Sequence, residues 1–393
     1  MVNNPEQLIQ ERVRRLSTTL AHKEPDRVPV FWGTETWIAS NAGFTVQEMV
    51  YDYQKMIRAC EKVIETIDED GYWPPLGIWP APVFDAVGHI PYQIAGETLD
   101  SHSAFQWVDR SPMAPEDYPR FIADPMRFIF EEMMPKRDVE LGKPWPRNSV
   151  ALAKGALAFG MYLTTMGGAF AKWAQVYGMP VLLAGISDPP MDFISDHYRG
   201  FKGMMMDIKR RPDDVVAACE AMYPLALRMA MASFGGPPAP FPWVFLPLHI
   251  PTYLRPKDFE RFYWPTFSRL VNDLATGGYN CLLFLENDWE PYFPYLAQLP
   301  KGHVIGLFEK KVIEAKKAVG DTICVAGGLG CDLLGLGTPE ECIAQAKKVI
   351  DACAPGGGFI LSADKALLSP HDAKPENLIA VTQFVKEYGV YHG

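Results

Sequence analysis

Four times in the second half of the chain an apolar run ends in an ionisable side chain: Trp243-Val-Phe-Leu-Pro-Leu-His249, Cys281-Leu-Leu-Phe-Leu-Glu286, Val304-Ile-Gly-Leu-Phe-Glu309 and Gly358-Phe-Ile-Leu-Ser-Ala-Asp364. Amphipathic stretches of helix length separate these runs, so the order reads strand, helix, strand, helix. In a closed parallel sheet of such units all strands point one way, and the residues at their carboxyl ends meet around one mouth. The pattern therefore predicts a pocket shared by one histidine and three carboxylates.

A chain of 393 residues suits two ordinary domains or one barrel with insertions, and the unbroken alternation favours the barrel. With 48% hydrophobic and 12% aromatic residues it can bury a large core, which excludes disorder. The net charge of -10, with no basic patch against it, excludes a nucleic-acid partner. Seven scattered cysteines without a C-x-x-C pair read as reduced thiols, and Met1-Val-Asn-Asn-Pro-Glu carries no apolar signal core. Both point to the cytoplasm. The least polar stretch, Gly155 to Ala171, is interrupted by glycine and threonine and flanked by Lys154 and Lys172. It reads as a buried strand and glycine-rich loop, not a membrane span.

Along the chain, residues 5–21 form an amphipathic first helix, and Arg27-Val-Pro-Val-Phe-Trp32 looks like the first barrel strand. Helix follows at about 46–68. The aromatic, irregular segment 72–112 is expected to cap the mouth. Helical pattern returns at about 124–141, 188–209 and 212–234. From there strands at 243–249, 280–286, 303–308, 322–327 and 357–362 alternate with helices at 256–276, 289–299, 310–319, 338–353 and 375–388. No internal repeat appears, so a solenoid is excluded. The expected fold is one α/β (β/α)8 TIM barrel over 1–393, with N-terminal helical and cap insertions.

Several segments resemble the uroporphyrinogen decarboxylase superfamily: Leu248-His249-Ile-Pro, Phe259-Glu-Arg-Phe-Tyr-Trp-Pro265, Gly277-Gly278, Leu333-Leu334, Gly337-Thr338-Pro339-Glu340-Glu341, Gly357-Gly358-Phe359-Ile360-Leu361 and Pro375-Glu376-Asn377. The resemblance covers roughly 180–390 and implies a TIM barrel of either a porphyrinogen decarboxylase or a methyltransferase serving a corrinoid protein. Two departures choose between them. True porphyrinogen decarboxylases carry an arginine motif resembling R-x-G-R-Y for substrate carboxylates, whereas Phe31-Trp-Gly-Thr-Glu-Thr-Trp37 has no arginine and one acid. Thiol-methylating members hold zinc with H-x-C and a late cysteine, whereas this chain has Phe284-Leu-Glu286 and Asp364-Lys365 at those places.

What remains resembles enzymes that move a methyl group from a small methoxylated compound to the cobalt(I) of a partner corrinoid protein. The resemblance implies an O-demethylase type of methyltransferase, with the corrinoid carried by the partner and zinc an optional Lewis acid. A decarboxylase or lyase acting on another substrate is the alternative, and a non-catalytic module that only docks a corrinoid protein is the third reading. No membrane partner is expected, and a homodimer is among the assemblies open to the chain.

Departure of a phenolate or alkoxide oxygen needs a proton or a Lewis acid. A carboxyl group walled by aromatics and near other acids keeps its proton at neutral pH. Glu286 is the first candidate for that role and His249 the second, with Glu309 and Asp288 tuning them. His249, Glu286 and Asp364 are the candidate metal ligands. Trp32, Trp37, Trp79, Phe245 and Tyr253 are candidate walls for a methoxylated ring, and Lys365 a partner for a carboxylate. Glu290 and Glu340 read as first-turn helix caps and His303 as structural. Ser195-Asp-His197-Tyr-Arg-Gly200 lacks the leading aspartate of a cobalt-ligand motif and reads as helix. Gly327-Gly-Leu-Gly330 lacks dinucleotide spacing, and Met204-Met-Met206 reads as core filling.

Overall fold

The computed structural model describes residues 4–75, 80–96, 98–232 and 242–392. Six parallel strands run in chain order around one sheet: β1 (Leu183–Ile186), β2 (Trp243–Leu248), β3 (Cys281–Leu285), β4 (Val304–Phe308), β5 (Cys324–Leu329) and β6 (Phe359–Ala363). Two extended segments fill the gap between β6 and β1. Segment 28–32 joins β6 through Phe31 N–H to Leu361 O (3.3 Å) and Leu361 N–H to Pro29 O (3.0 Å). Segment 70–73 joins segment 28–32 through Asp70 N–H to Val30 O (2.9 Å), and β1 through Leu182 N–H to Tyr72 O (2.8 Å). These bonds close the ring, which is the (β/α)8 TIM barrel expected from the sequence.

Alternation along the strands separates two cores. Phe31, Trp73, Leu183, Trp243, Leu282, Ile305, Leu307, Cys324, Ala326 and Ile360 pack together inside the ring, joined by Leu16 and Leu20. Their alternate neighbours, such as Val244, Leu283, Val325 and Leu361, belong to the other core, between ring and helices. The interior is thus filled by layers of side chains and has no pore. Leu16 and Leu20 come from α1 (Pro5–Leu20), which stoppers the amino-terminal end.

At that end acids and arginines interlock. Asp70 takes Arg15 at 2.6 Å and Arg27 at 2.7 Å, and its other oxygen accepts the Val30 N–H at 2.9 Å. Glu69 accepts the Trp32 N–H at 2.7 Å. Segment 70–73 is too short to offer carbonyls to both N–H groups, so the two carboxylates replace them. Burial raises Asp70, but Arg27 and Arg15 outweigh it and hold its carboxyl below the usual range.

Helices follow the strands: α2 (Tyr53–Ile67), α3 (Arg147–Tyr177), α4 (Pro212–Met231), α5 (Trp264–Thr276), α6 (Val312–Val319), α7 (Pro339–Cys353) and α8 (Pro375–Tyr388). Side-chain acceptors fix several starts: Asp52 caps α2, and Thr338 with Glu341 forms a capping box on α7. Asp52 also splits the helix expected over 46–68, because its extended backbone ends the short helix Val46–Tyr51. The expected strand and loop at 155–171 is corrected: α3 is one continuous helix of 31 residues. Its glycines lie along a helix whose other residues, Ala, Leu and Met, are strong helix formers, and these dominate. Of the expected cap, the described part is the helix Ala81–Val87 and an antiparallel pair of Tyr92–Gln93 with Gln106–Trp107. Trp107 stands edge-on to His197, 5.2 Å between ring centres, beside the carboxyl-terminal mouth.

Candidate active site

The inward alternation that places Phe245, Phe284 and Leu307 over the interior continues one step further along each strand, to His249 on the β2 row (243, 245, 247, 249), Glu286 on the β3 row and Glu309 on the β4 row. Asp364 follows Ile360 and Ser362 in the same way after β6. The His249 Nε2 lies 3.6 Å from Glu286 Oε1, both partly open to solvent. The two leading candidates therefore face one another across the mouth. Their floor is aromatic: Trp73 meets Phe245 edge-on at 5.0 Å, and Phe245 stacks on Phe284 at 6.3 Å.

Two acids that sequence reasoning missed complete this centre. The short helix Pro190–Ile194 and the π-turn Ser195–Arg199 follow β1, and they carry Asp192 and Asp196 one helical turn apart. Asp196 Oδ2 lies 2.5 Å from His249 Nδ1. Asp192 is fully buried and accepts the Ile250 N–H at 2.8 Å and the Tyr263 hydroxyl at 2.5 Å. It locks the turn after β2, and with it His249, against the helix after β1. The available signal was the Asp-x-x-x-Asp spacing, whose second member, Asp196, sits inside the stretch set aside as a cobalt-motif decoy. Glu35 also lies on an inward row (31, 33, 35); it is buried, with Oε1 accepting the Trp73 indole N–H at 3.0 Å.

The electrostatics follow from these contacts. Burial pulls the His249 imidazolium down, but the hydrogen bond and charge of Asp196, with the charges of Glu286 and Asp192, raise it to about 10. Burial raises Glu286; His249 opposes the shift, and the charges of Glu309 and Asp196 add to it. Burial raises Asp364 as well, against hydrogen bonds from Cys331. Burial is also the main cause holding Asp192 well above the carboxylate range, followed by the charge of Asp196. The mouth thus shifts each of these groups toward its protonated form.

The other expected site residues take varied places. Glu309 accepts the Asn287 N–H at 2.7 Å and so shapes the loop after β3. Asp288 is half-buried and paired with Lys311 at 2.6 Å, an ion pair between the loops after β3 and β4. Trp32 points outward from the ring, where its indole N–H donates to Thr382 at 3.0 Å, and Trp37 donates to Ala373 O at 2.8 Å. Both are buried between ring and α8, so neither lines the mouth. Phe245 does belong to the floor. Tyr253 stands exposed on the rim, edge-on to Phe201 at 5.0 Å, and Lys365 is exposed beside Asp364. Trp79 lies outside the described residues. His303 accepts or donates to Asn280 at 3.0 Å at the opposite end of β3 and β4, the structural role expected of it. Gly327 and Gly328 have φ of 125° and 115° and bend β5, a Cβ on Gly327 coming within 2.7 Å of Phe308 O. The glycine run is a backbone requirement of the strand.

The expected metal ligands do not assemble as a set. Among the described residues the group whose ligand atoms lie within 4.8 Å of one another is Asp192, Asp196 and His249, without Glu286 or Asp364. Asp364 is turned to the Cys331 N–H at 3.1 Å. In the grouped trio, Asp192 already serves Ile250 and Tyr263, and Asp196 already holds His249 Nδ1. These groups are thus already joined to one another and to the chain by hydrogen bonds. A thiolate site does not fit either: all seven cysteines are buried and unpaired, and burial raises the Cys331 thiol.

A closed parallel ring with ionisable residues at its carboxyl-terminal mouth defines the class, a TIM barrel with its site at the strand ends. Residues 171–388 match the model of the uroporphyrinogen decarboxylase (URO-D) family, and the chain belongs to that family. No curated protein matches it. Among solved structures it is similar to a methyltransferase from Methanosarcina mazei, at 14% identity and a TM-score of 0.65, over 96% of this chain and 98% of the other. At that identity the likeness is one of fold.

Proposed function

We propose that the chain is a methyltransferase that removes the methyl group of a small methoxylated compound, an aryl methyl ether, and delivers it to the cobalt(I) of a corrinoid carried by a separate protein. The observation that carries this reading is the His249–Glu286 pair, 3.6 Å apart and facing the mouth, with the imidazolium held by its acidic neighbours and the Glu286 carboxyl raised by burial. The corrinoid, as co-substrate, supplies the electron pair for the new bond to carbon. The carbon–oxygen pair stays with oxygen, and the protein's task is to give that oxygen a proton. Asp196 holds the imidazolium by Nδ1, which leaves Nε2–H aimed at the space beside Glu286. An ether oxygen seated there receives its proton from the pair as the bond to methyl breaks, leaving a neutral phenol. The Trp73, Phe245 and Phe284 floor suits a flat apolar ring.

Family membership alone also admits decarboxylation. Against it, Arg12, Arg15 and Arg27 are committed to Asp68, Asp70 and Asp26 at the other end of the barrel. No arginine bonds to a mouth carboxylate among the described residues. A polycarboxylate would meet acids there. Buried, unpaired cysteines suit a reducing compartment and a cytoplasmic setting. Incubating the purified protein with a panel of methoxybenzenes and reduced cobalamin is expected to give the phenol and methylcobalamin without carbon dioxide. Absence of phenol across the panel, or release of carbon dioxide from a carboxylated substrate, overturns the reading.

A further inference from the structure

Ahead of α5 the chain makes a π-turn, Phe259–Tyr263, with Glu260 and Arg261 exposed and Phe259 and Tyr263 buried. Pro265 has no N–H to give the Arg261 carbonyl, and the wider turn takes up that interruption. Phe259 and Tyr263 share one face, with ring centres 5.3 Å apart and planes at 23°. From that face two separate paths run to the mouth. The Tyr263 hydroxyl donates to Asp192 at 2.5 Å, and the other oxygen of Asp192 accepts the N–H of Ile250, the residue after His249, at 2.8 Å. Phe259 packs on Tyr292 at 4.5 Å and edge-on to Trp289 at 6.2 Å, and the Trp289 indole N–H donates to the Glu286 carbonyl at 3.0 Å. A third bond, from the Tyr292 hydroxyl to the Leu254 carbonyl, ties the loops after β2 and β3 together. One turn thus reaches the backbone beside both members of the pair.

The polar groups on these paths are unusual choices for plain scaffolding. Two other buried acids have guanidinium partners: Asp70 with Arg15 and Arg27, and Asp207 with Arg199 at 2.6 Å. Among the described residues no lysine or arginine pairs with Asp192, and the cation that acts on it is His249. A buried carboxyl without a fixed cation is an unfavourable pin for one N–H, which a neutral side chain would hold as well. It suits a loop that must also favour an imidazolium. Burial, followed by the charge of Asp192, raises the Tyr263 hydroxyl, so it remains a donor. The His249 and Glu286 side chains stand on different loops, 3.6 Å apart, and their spacing is only as fixed as those loops. A shift of about 1 Å would let an ether oxygen meet one group and miss the other.

We infer that the π-turn Phe259–Tyr263 sets the spacing of His249 and Glu286 through Tyr263 and Trp289, which act as positioning residues. The inference rests on the reading of that pair as the proton donor. Tyr263→Phe removes the hydroxyl and Trp289→Phe the indole N–H. In methyl transfer each is expected to lower kcat roughly 10–100-fold with KM within about twofold of wild type. The double variant is expected to lose little more than the worse single one, because both substitutions release the same spacing. Trp289→Phe leaves Tyr263 and Asp192 in place, so it tests the spacing even where Tyr263→Phe does not fold. A readout independent of turnover is the low-field proton resonance of the Asp196–His249 hydrogen bond, 2.5 Å long and identified by its loss in Asp196→Asn. Tyr263→Phe is expected to shift or broaden it while circular dichroism is retained. Wild-type kcat in both single variants, fully multiplicative losses in the double variant, or an unchanged resonance in Tyr263→Phe overturns the inference. A wild type that moves no methyl group overturns the function proposed above instead, and the resonance then decides the positioning role alone.

Discussion

The two ends of the barrel are built from the same kind of residue and behave oppositely. At the amino-terminal end Asp70 lies between Arg15 and Arg27, and Arg12 reaches Asp68 at 2.6 Å. Guanidinium never gives up its proton, so the cations there are fixed and the contacts are structural. At the carboxyl-terminal end the acids meet an imidazole instead, Asp196 and Glu286 flanking His249. The cation at this end can be discharged, so a proton can leave. Acids alone do not mark a reactive end; the identity of their counter-ion does.

The sharpest test of that contrast is Glu286→Gln, which keeps shape and removes a proton-holding group. Methyl transfer is expected to fall roughly 10²–10⁴-fold while the melting temperature holds. Unchanged turnover would break the assignment of chemistry to this end. Next comes Asp70→Asn, which leaves two buried arginines short of their anion and is expected to cost about 3–5 kcal/mol in urea unfolding.

The pH response should separate the ends as well. Asp70 is held below the ordinary carboxylate range when folded, so the stability it contributes is present near neutrality and lost as pH falls through its folded value. His249 is raised from 6.5 to about 10, so its contribution is complete below about 6.5 and lost as pH rises through about 10. Acid should loosen the stoppered end and alkali the mouth. Asp196→Asn is expected to bring the alkaline limb of kcat/KM down from near pH 10 toward the ordinary histidine value. A limb that stays in place would show that His249 is not the titrating group. The smallest effects belong outside both ends. Trp32→Phe should cost about 1 kcal/mol for its bond to Thr382 with KM unchanged, and Asp288→Asn should stay within about 0.5 kcal/mol with full activity.

Much of this arrangement was legible in the sequence where period and position coincide. β2, β3, β4 and β6 were visible because apolar runs buried on both faces stop at a polar residue, and the strand's two-residue period then sends His249, Glu286, Glu309 and Asp364 inward. Trp32 misled because the same period, applied one residue earlier, sends it outward to Thr382. Asp192 and Asp196 were missed because their helix follows the four-residue strand β1, whose apolar run is too brief to announce a strand end. The helix α3 was misread because its glycines and threonines resemble a loop, whereas the alanines, leucines and methionines between them decide for helix.

The first seam of the ring joins Phe31 to Leu361, residues from nearly opposite ends of the sequence. A ribosome must therefore release more than nine-tenths of the polypeptide before that seam can form. Until then segment 28–32 offers an unpaired edge to any neighbouring nascent chain. Truncations short of Leu361 should accumulate as aggregates rather than as smaller folded pieces.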